Sequence, residues 1–363
     1  LMTCRNEHTT CERVRLQSQS SWAPTRLIYI DRQSGSLKLE ESDTIPLGVR
    51  YTTLSHCWGR VPDKLVLTVA NVASWKHALP SLGKMKTFED AIEISQRLGV
   101  PYIWIDSLCI IQDSRDDWIA ESSRMSDVYK YSFCNICATA AADDTGGCFF
   151  SRDPSIALPF RIQATAMDQS SRSLQGAYDL HRQGKWVLEI GGAPVNRRAW
   201  VVQERFLTPR VLNFGKSQLY WECNELQASE SYPDGVPKEP NGDVMFKATT
   251  PFNLIKRDYA NSDTSNTSNA SYGLDDLFGL WAVAVDAFTG CGLTKEEDKL
   301  VAISAIAREM QPLMQCRYLA GHWEVDFVRQ LAWTALNFSY RASVYRAPSW
   351  SWASVDGIID HFQ

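Results

Sequence analysis

TFEDAIEISQRLGVPYIWIDSLCIIQD, residues 87–113, decides the fold. Phe88, Ala91, Ile92, Ser95 and Leu98 recur at helical spacing on one face, and Gly99 ends the run. Thr87 and Asp90 have the capping-box spacing, which predicts a helix over residues 87–98. PYIWIDSLCII, residues 101–111, is then almost continuously apolar, the pattern of a strand buried on both faces.

The same alternation continues on both sides. Downstream, Ser114 with Asp117 marks the start of a second helix reaching about residue 131, and SFCNICATAAA from residue 132 reads as a third strand. Upstream, YTTLSHCWG, residues 51–59, is a strand ending in a Gly-marked loop. Strand, helix, strand, helix, strand predicts an α/β domain around parallel strands. TRLIYID, residues 25–31, and LKLE from Leu37 read as a hairpin added before it. A short helix is expected near residues 69–77, and a less regular, partly β insertion over residues 151–195. Residues 197–207 read as a helix stopped before Pro209, followed by a hairpin of residues 211–214 and 218–223.

Residues 225–272 are polar and include NSDTSNTSNAS, the composition of a linker. From Tyr272 the pattern is helical again, with Thr294 as the expected cap of KEEDKLVAISAIAREM. The expected organisation is an N-terminal segment (1–50), a core (51–223), a linker (224–272) and a helical, Trp-rich C-terminal region (273–363).

The net charge of −5 and a pI of about 5.8 leave no basic excess for nucleic acid. No apolar run reaches about 18 residues, so no spanning helix is expected. The first residues, LMTCRNEH, lack the apolar stretch of a signal peptide. The 10 cysteines are scattered and several lie in apolar runs, which suggests reduced thiols and a cytoplasmic location. Sequons at Asn266, Asn269 and Asn337 are read as compositional accidents, two of them within the Ser/Asn tract.

Glu121 falls on the inner face of the second helix with Trp118, Met125, Val128 and Tyr129, where burial raises a carboxylate's pKa. It reads either as a functional acid or as one half of a structural ion pair. Ser55, His56, Cys57 and Trp58 stand at a strand's C-terminal end, where open α/β sheets carry their sites. Neighbouring strand residues point to opposite faces, which argues against a direct His56–Cys57 nucleophile pair. Asp106 and Ser107 close the next strand, as a loop cap or as site residues. Arg198, Trp200, Gln203 and Arg205 suit an anionic ligand, or else an internal Arg–Glu network with Glu222 as a partner. No glycine-rich phosphate loop is present. Cys4, His8 and Cys11 have zinc-ligand spacing and would share a face on a helix, but they are three ligands without a fourth. Cys134 and Cys137 lie in a strand-like run, where their side chains diverge.

YTTLSHCWG, TFEDAIEISQRLGVPYIWIDSLCIIQD, DDWIAESSRMSDVYKYS, GGCFFSRDP, RAWVVQERFLTPRVLNF and YWEC follow one another in order. Together they closely resemble the fungal heterokaryon-incompatibility (HET) domain over roughly residues 51–223. The early Cys-x3-His-x2-Cys, LTKEEDKLVAISAIA, YLAGHWEVDFVRQLAW and APSWSWASVDG are similar to flanks of larger members. The resemblance implies a fungal intracellular protein that triggers cell death when unlike hyphae fuse. More distantly it implies a TIR/flavodoxin-like core with a mostly parallel sheet, β-hairpin additions and a helical C-terminal extension. Several TIR domains cleave NAD with one helix-borne Glu, which the DDWIAES segment places at Glu121. The roles that follow are Glu121, Asp106 and Ser55 in catalysis, with Trp58 or Trp118 stacking on a ring and Arg198 or Arg205 meeting phosphates. Two other readings stay open: a signalling module that works by self-association or by binding another incompatibility protein, and a tailoring enzyme of fungal metabolism.

Overall fold

The computed structural model describes residues 1–9, 11, 22–157, 160–167, 173–180, 186–236, 273–336 and 339–361. The Ser/Asn tract and the three sequons lie outside these residues. A short helix, α1 (Met2–Glu7), opens the chain. Strands β1 (Arg26–Ile30) and β2 (Leu37–Glu41) form the expected antiparallel hairpin.

β3 (Tyr51–Ser55) is buried at all five positions and is the pivot of the fold. Helix α2 (Lys86–Arg97) leads from it to β4 (Tyr102–Trp104), and helix α3 (Arg115–Lys130) leads on to β5 (Cys134–Cys137). Both β4 and β5 pair parallel to β3, one on each side. After a separate two-stranded ribbon, β6 (Phe160–Met167) with β7 (Ser173–Leu180), helix α4 (Ala199–Leu207) delivers β8 (Arg210–Phe214) parallel to β5. β9 (Leu219–Cys223) and β10 (Gln227–Ser229) then add antiparallel edges. The eight-stranded order is β10-β9-β8-β5-β3-β4-β1-β2. This is an α/β architecture with four central parallel strands, as expected. Residues 227–229, read as the start of a linker, instead extend the sheet.

Two local expectations are corrected here. Residues 101–111 are not one strand: only Tyr102–Trp104 pair, and Asp106–Cys109 form a helical turn. An unbroken apolar run does not distinguish a buried strand from a buried turn. Thr87 and Asp90 do not cap α2, whose N-cap is Met85 without a side-chain bond. They hold the following loop instead: Thr87 Oγ1 donates to the Asp143 carbonyl at 3.2 Å, and Asp90 Oδ2 accepts from the amides of Cys148 (2.7 Å) and Phe149 (3.2 Å). Ser114 does cap α3, accepting from the Asp117 amide at 3.3 Å.

Helices α5 (Leu274–Thr289) and α6 (Lys299–Met314) carry the C-terminal region. A turn of 3-10 helix, Glu296–Asp298, precedes α6, so Asp298 rather than Thr294 is its N-cap. Trp281, Trp323 and Trp352 are buried together with these helices, while Trp104 and Phe88 belong to the core beneath the sheet. Trp200 packs against both cores. The backbone amide of Ala199 donates to the Gly292 carbonyl at 3.0 Å, so the loop before α6 rests on the start of α4. Among the described residues no helix is long and apolar enough to cross a membrane.

Candidate functional site

The chain leaves β3 toward β4 on one side and returns to β5 on the other. Loops at the C-terminal ends of β3 and β5 therefore part, which opens a crevice in sheets of this kind. Polar side chains gather there. Ser55, the last residue of β3, donates a hydrogen bond to Glu204 of α4 and accepts one from Asn135 Nδ2 of β5 at 2.9 Å. Asn135 Oδ1 in turn accepts from Thr53 Oγ1 at 3.0 Å. Tyr129 OH donates to the Leu54 carbonyl at 3.1 Å.

One residue further, the His56 ring is sealed at 1% exposure, edge-on to Phe88 at 5.2 Å. Its Nε2 lies 3.2 Å from Asp144 Oδ1 and 3.8 Å from Asp106 Oδ1. Neither His56 nitrogen nor Asp144 Oδ1 has a well-formed hydrogen bond. Asp106 reaches toward solvent and accepts from Trp58 Nε1 at 2.9 Å. Arg198, at the N-cap of α4, donates to the His56 carbonyl. Lys64 Nζ lies 5.4 Å from the centre of the Trp58 ring.

Setting two buried carboxylates beside a third, partly exposed one has electrostatic consequences. Burial pushes Glu204 up to about 7, against the pull of Arg198 and the Ser55 hydrogen bond. Burial, with Asp106 nearby, pushes Asp144 up to about 7. Burial holds His56 down to about 4, against the attraction of Asp106. Near neutral pH the imidazole is therefore uncharged, and the two buried acids are poised between their charged and neutral forms.

Of the residues singled out in the sequence, Ser55, His56, Trp58, Asp106 and Arg198 meet here. Glu121 has a different set of neighbours. It is buried on α3, bonded to Thr25 and close to Arg26, and burial raises its carboxyl against both. Arg26 is itself bidentate to Asp117, with its closer contact at 2.5 Å. Arg205 turns to the fully buried Glu222, at 2.8 Å, and Asn213 Nδ2 completes that pair at 2.8 Å. This is the internal Arg–Glu network. Trp118 and Trp200 meet edge to face at 6.4 Å, with Lys295 Nζ 5.5 Å from the centre of the Trp118 ring. Gln203 lines a cavity of about 270 Å³ between α3, α4 and α6, together with Ser126, Arg308 and Tyr318. Cys57 packs with Cys137, Val195 and Val201, and burial raises its thiol, which suits an inert side chain. Ser107 is buried beside Asp106, whose Oδ1 accepts its amide at 2.7 Å.

Two members of the cluster escaped the sequence reading. Glu204 stands three residues from Val201 and from Leu207, on the buried face of α4, so its spacing carried the same signal as that of Glu121. Asp144 sits in AADDTGG, which reads as a turn, and only the fold brings it to His56.

Beside Arg210, at the start of β8, Cys4, His8 and Cys11 come together with Cys223 of β9. They do not share one regular helix, because α1 ends at Glu7 and His8 is extended.

Comparison with curated proteins and with solved structures returned no match. Residues 51–204 match the family model described as heterokaryon incompatibility protein (HET), a segment that begins at β3 and closes on Glu204. The chain therefore carries a HET domain over residues 51–204, and the Ser55–Glu204 cluster lies within it.

Proposed function

We propose that this is a heterokaryon-incompatibility protein whose HET domain cleaves the glycosidic bond between nicotinamide and ribose in NAD, with Glu204 as the working carboxylate. The observation that carries this reading is the buried Glu204 carboxyl, poised at about 7 and held by Ser55 at the C-terminal end of β3. Nicotinamide in NAD is a cationic leaving group. Breaking its bond to the ribose C1′ leaves neutral nicotinamide and an oxocarbenium-like sugar, which a carboxylate stabilises. Water then adds its oxygen to C1′ and releases a proton. Asp106 and Asp144 add negative potential toward the cationic ring, Trp58 offers a stacking face, and Arg198 suits a phosphate. Glu121, placed among Thr25 and Arg26, acts in this scheme only as part of the scaffold.

A second reading rests on the burial of the same acid. Glu204 is 5% exposed and already hydrogen-bonded, which also suits a module that binds and signals without turnover. Purified protein incubated with NAD separates the two. Nicotinamide release that Glu204→Gln abolishes supports the enzyme. Toxicity in hyphae that persists in Glu204→Gln, with no release from the parent protein, supports the module.

A further inference from the structure

We infer that Cys4, His8, Cys11 and Cys223 form a four-ligand zinc site that fastens the N-terminal segment to the sheet. One donor atom from each lies within 4.8 Å of the others. A tetrahedral zinc centre with Zn–S bonds of about 2.3 Å needs donor separations of about 3.8 Å, so small side-chain rotations close the shell. The three cysteines are buried, and Trp221 and Leu226 pack around them. His8 Nδ1 already lies 3.3 Å from Cys223 Sγ.

Two features point to a metal beyond mere proximity. The sulphurs receive N–H donors, as metal-bound thiolates do: Arg210 Nε points to Cys4 Sγ at 3.2 Å, and the Leu226 amide to Cys223 Sγ at 3.3 Å. The second feature is charge. Arg210 is 2% exposed, and among the described residues no carboxylate pairs with it. Its remaining bonds go to the carbonyls of Phe133 and Cys11, both at 3.3 Å. A buried guanidinium without an anion is costly. Zinc with three thiolates and a neutral imidazole carries one net negative charge, which Arg210 balances. The β8–β9 register sets Arg210 directly opposite Cys223, so the counter-charge and a ligand are placed by the same pair of strands. Soft thiolate donors favour zinc over magnesium or calcium. Four protein ligands leave no open position, so the role is structural. The site shares no residue with the Ser55–Glu204 cluster and stands whether or not the domain hydrolyses NAD.

The test uses the full chain, produced in zinc-supplemented medium and purified under reducing conditions. Elemental analysis is expected to find one zinc per chain in the parent protein and in Cys148→Ser, and a loss of zinc in Cys223→Ser. Because the variant can fail to fold, cobalt is also exchanged into the parent protein. Thiolate-to-cobalt charge-transfer bands and intense tetrahedral visible bands are expected. A folded parent protein that takes up neither zinc nor cobalt would overturn the proposal, as would a disulfide joining two of the three cysteines in that preparation.

Discussion

Ser55 and Glu204 lie 149 residues apart in sequence and share a hydrogen bond in the interior, joining the end of β3 to the middle of α4. The bond aims a carboxyl that burial has pushed up to about 7. Folding therefore changes how tightly Glu204 holds its proton, and stability must depend on pH. Between the ordinary carboxylate value of 4.5 and about 7, the unfolded chain binds fewer protons at this position than the folded one. Its contribution accordingly falls as pH rises through that window. His56 works in the opposite sense: its folded value of about 4 lies below 6.5, so stability gained from it grows between those values. Glu204→Gln mimics the protonated acid. In urea unfolding it should match the parent protein at pH 5 and exceed it by roughly 2–3 kcal/mol at pH 8. An equal difference at both pH values would show that Glu204 is not the titrating group.

Arg205 and Glu222 make a different kind of pair. Glu222 is fully buried and takes its hydrogen bonds from Arg205 and Asn213. Arg205→Met strips the cation from a sealed carboxylate and should cost about 3–5 kcal/mol. Replacing both residues, Arg205→Met with Glu222→Leu, should recover much of that loss. Chemical denaturation of the single and double variants measures the difference. A single variant as stable as the parent protein would place the pair outside the stabilising interior.

Much of this was legible in the sequence and some was not, for physical reasons. Local periodicity shows a helix over residues 87–98 and the Ser114 cap, because both are decided by neighbours a few residues away. It also identifies Ser55, His56, Trp58 and Asp106, because strand ends are where α/β sheets place polar loops. The same reasoning singled out Glu121 and gave no role to Glu204, although the two acids have similar spacing on their helices. Deciding between them requires knowing that α4, not α3, carries its acid to Ser55, which is a matter of tertiary packing. The fourth sulphur shows the same limit. Cys223 lies 215 residues from His8, and only the placement of β9 in the sheet brings them together.

Gly59 marks a close approach of two loops beside the cluster. Its φ is +57°, and a Cβ added there would stand 2.2 Å from Asp143 Cβ. Gly59→Ala should therefore destabilise the protein by more than about 2 kcal/mol, through left-handed backbone strain and through displacement of the loop that bears Asp144. Thermal melting checks the prediction, and an unchanged melting temperature would contradict it.

Asp90 holds that same loop from the other side through the amides of Cys148 and Phe149. Charge-assisted bonds of this kind contribute about 2 kcal/mol together once their burial is counted. Asp90→Ala should speed hydrogen exchange at these two amides by about 30-fold, with α3 little affected. Uniform acceleration across the chain would mean that Asp90 supports global stability and not the loop.

In the proposed reaction Glu204, brought by α4 to the end of β3, is the acid that does the chemistry. Nicotinamide release from NAD, measured side by side for the parent protein, Glu204→Gln and Glu121→Gln, tests it most directly. Release by the parent protein and by Glu121→Gln, rising with pH through about 7 and abolished in Glu204→Gln, is the expected result. Release that survives in Glu204→Gln but disappears in a folded Glu121→Gln would contradict it.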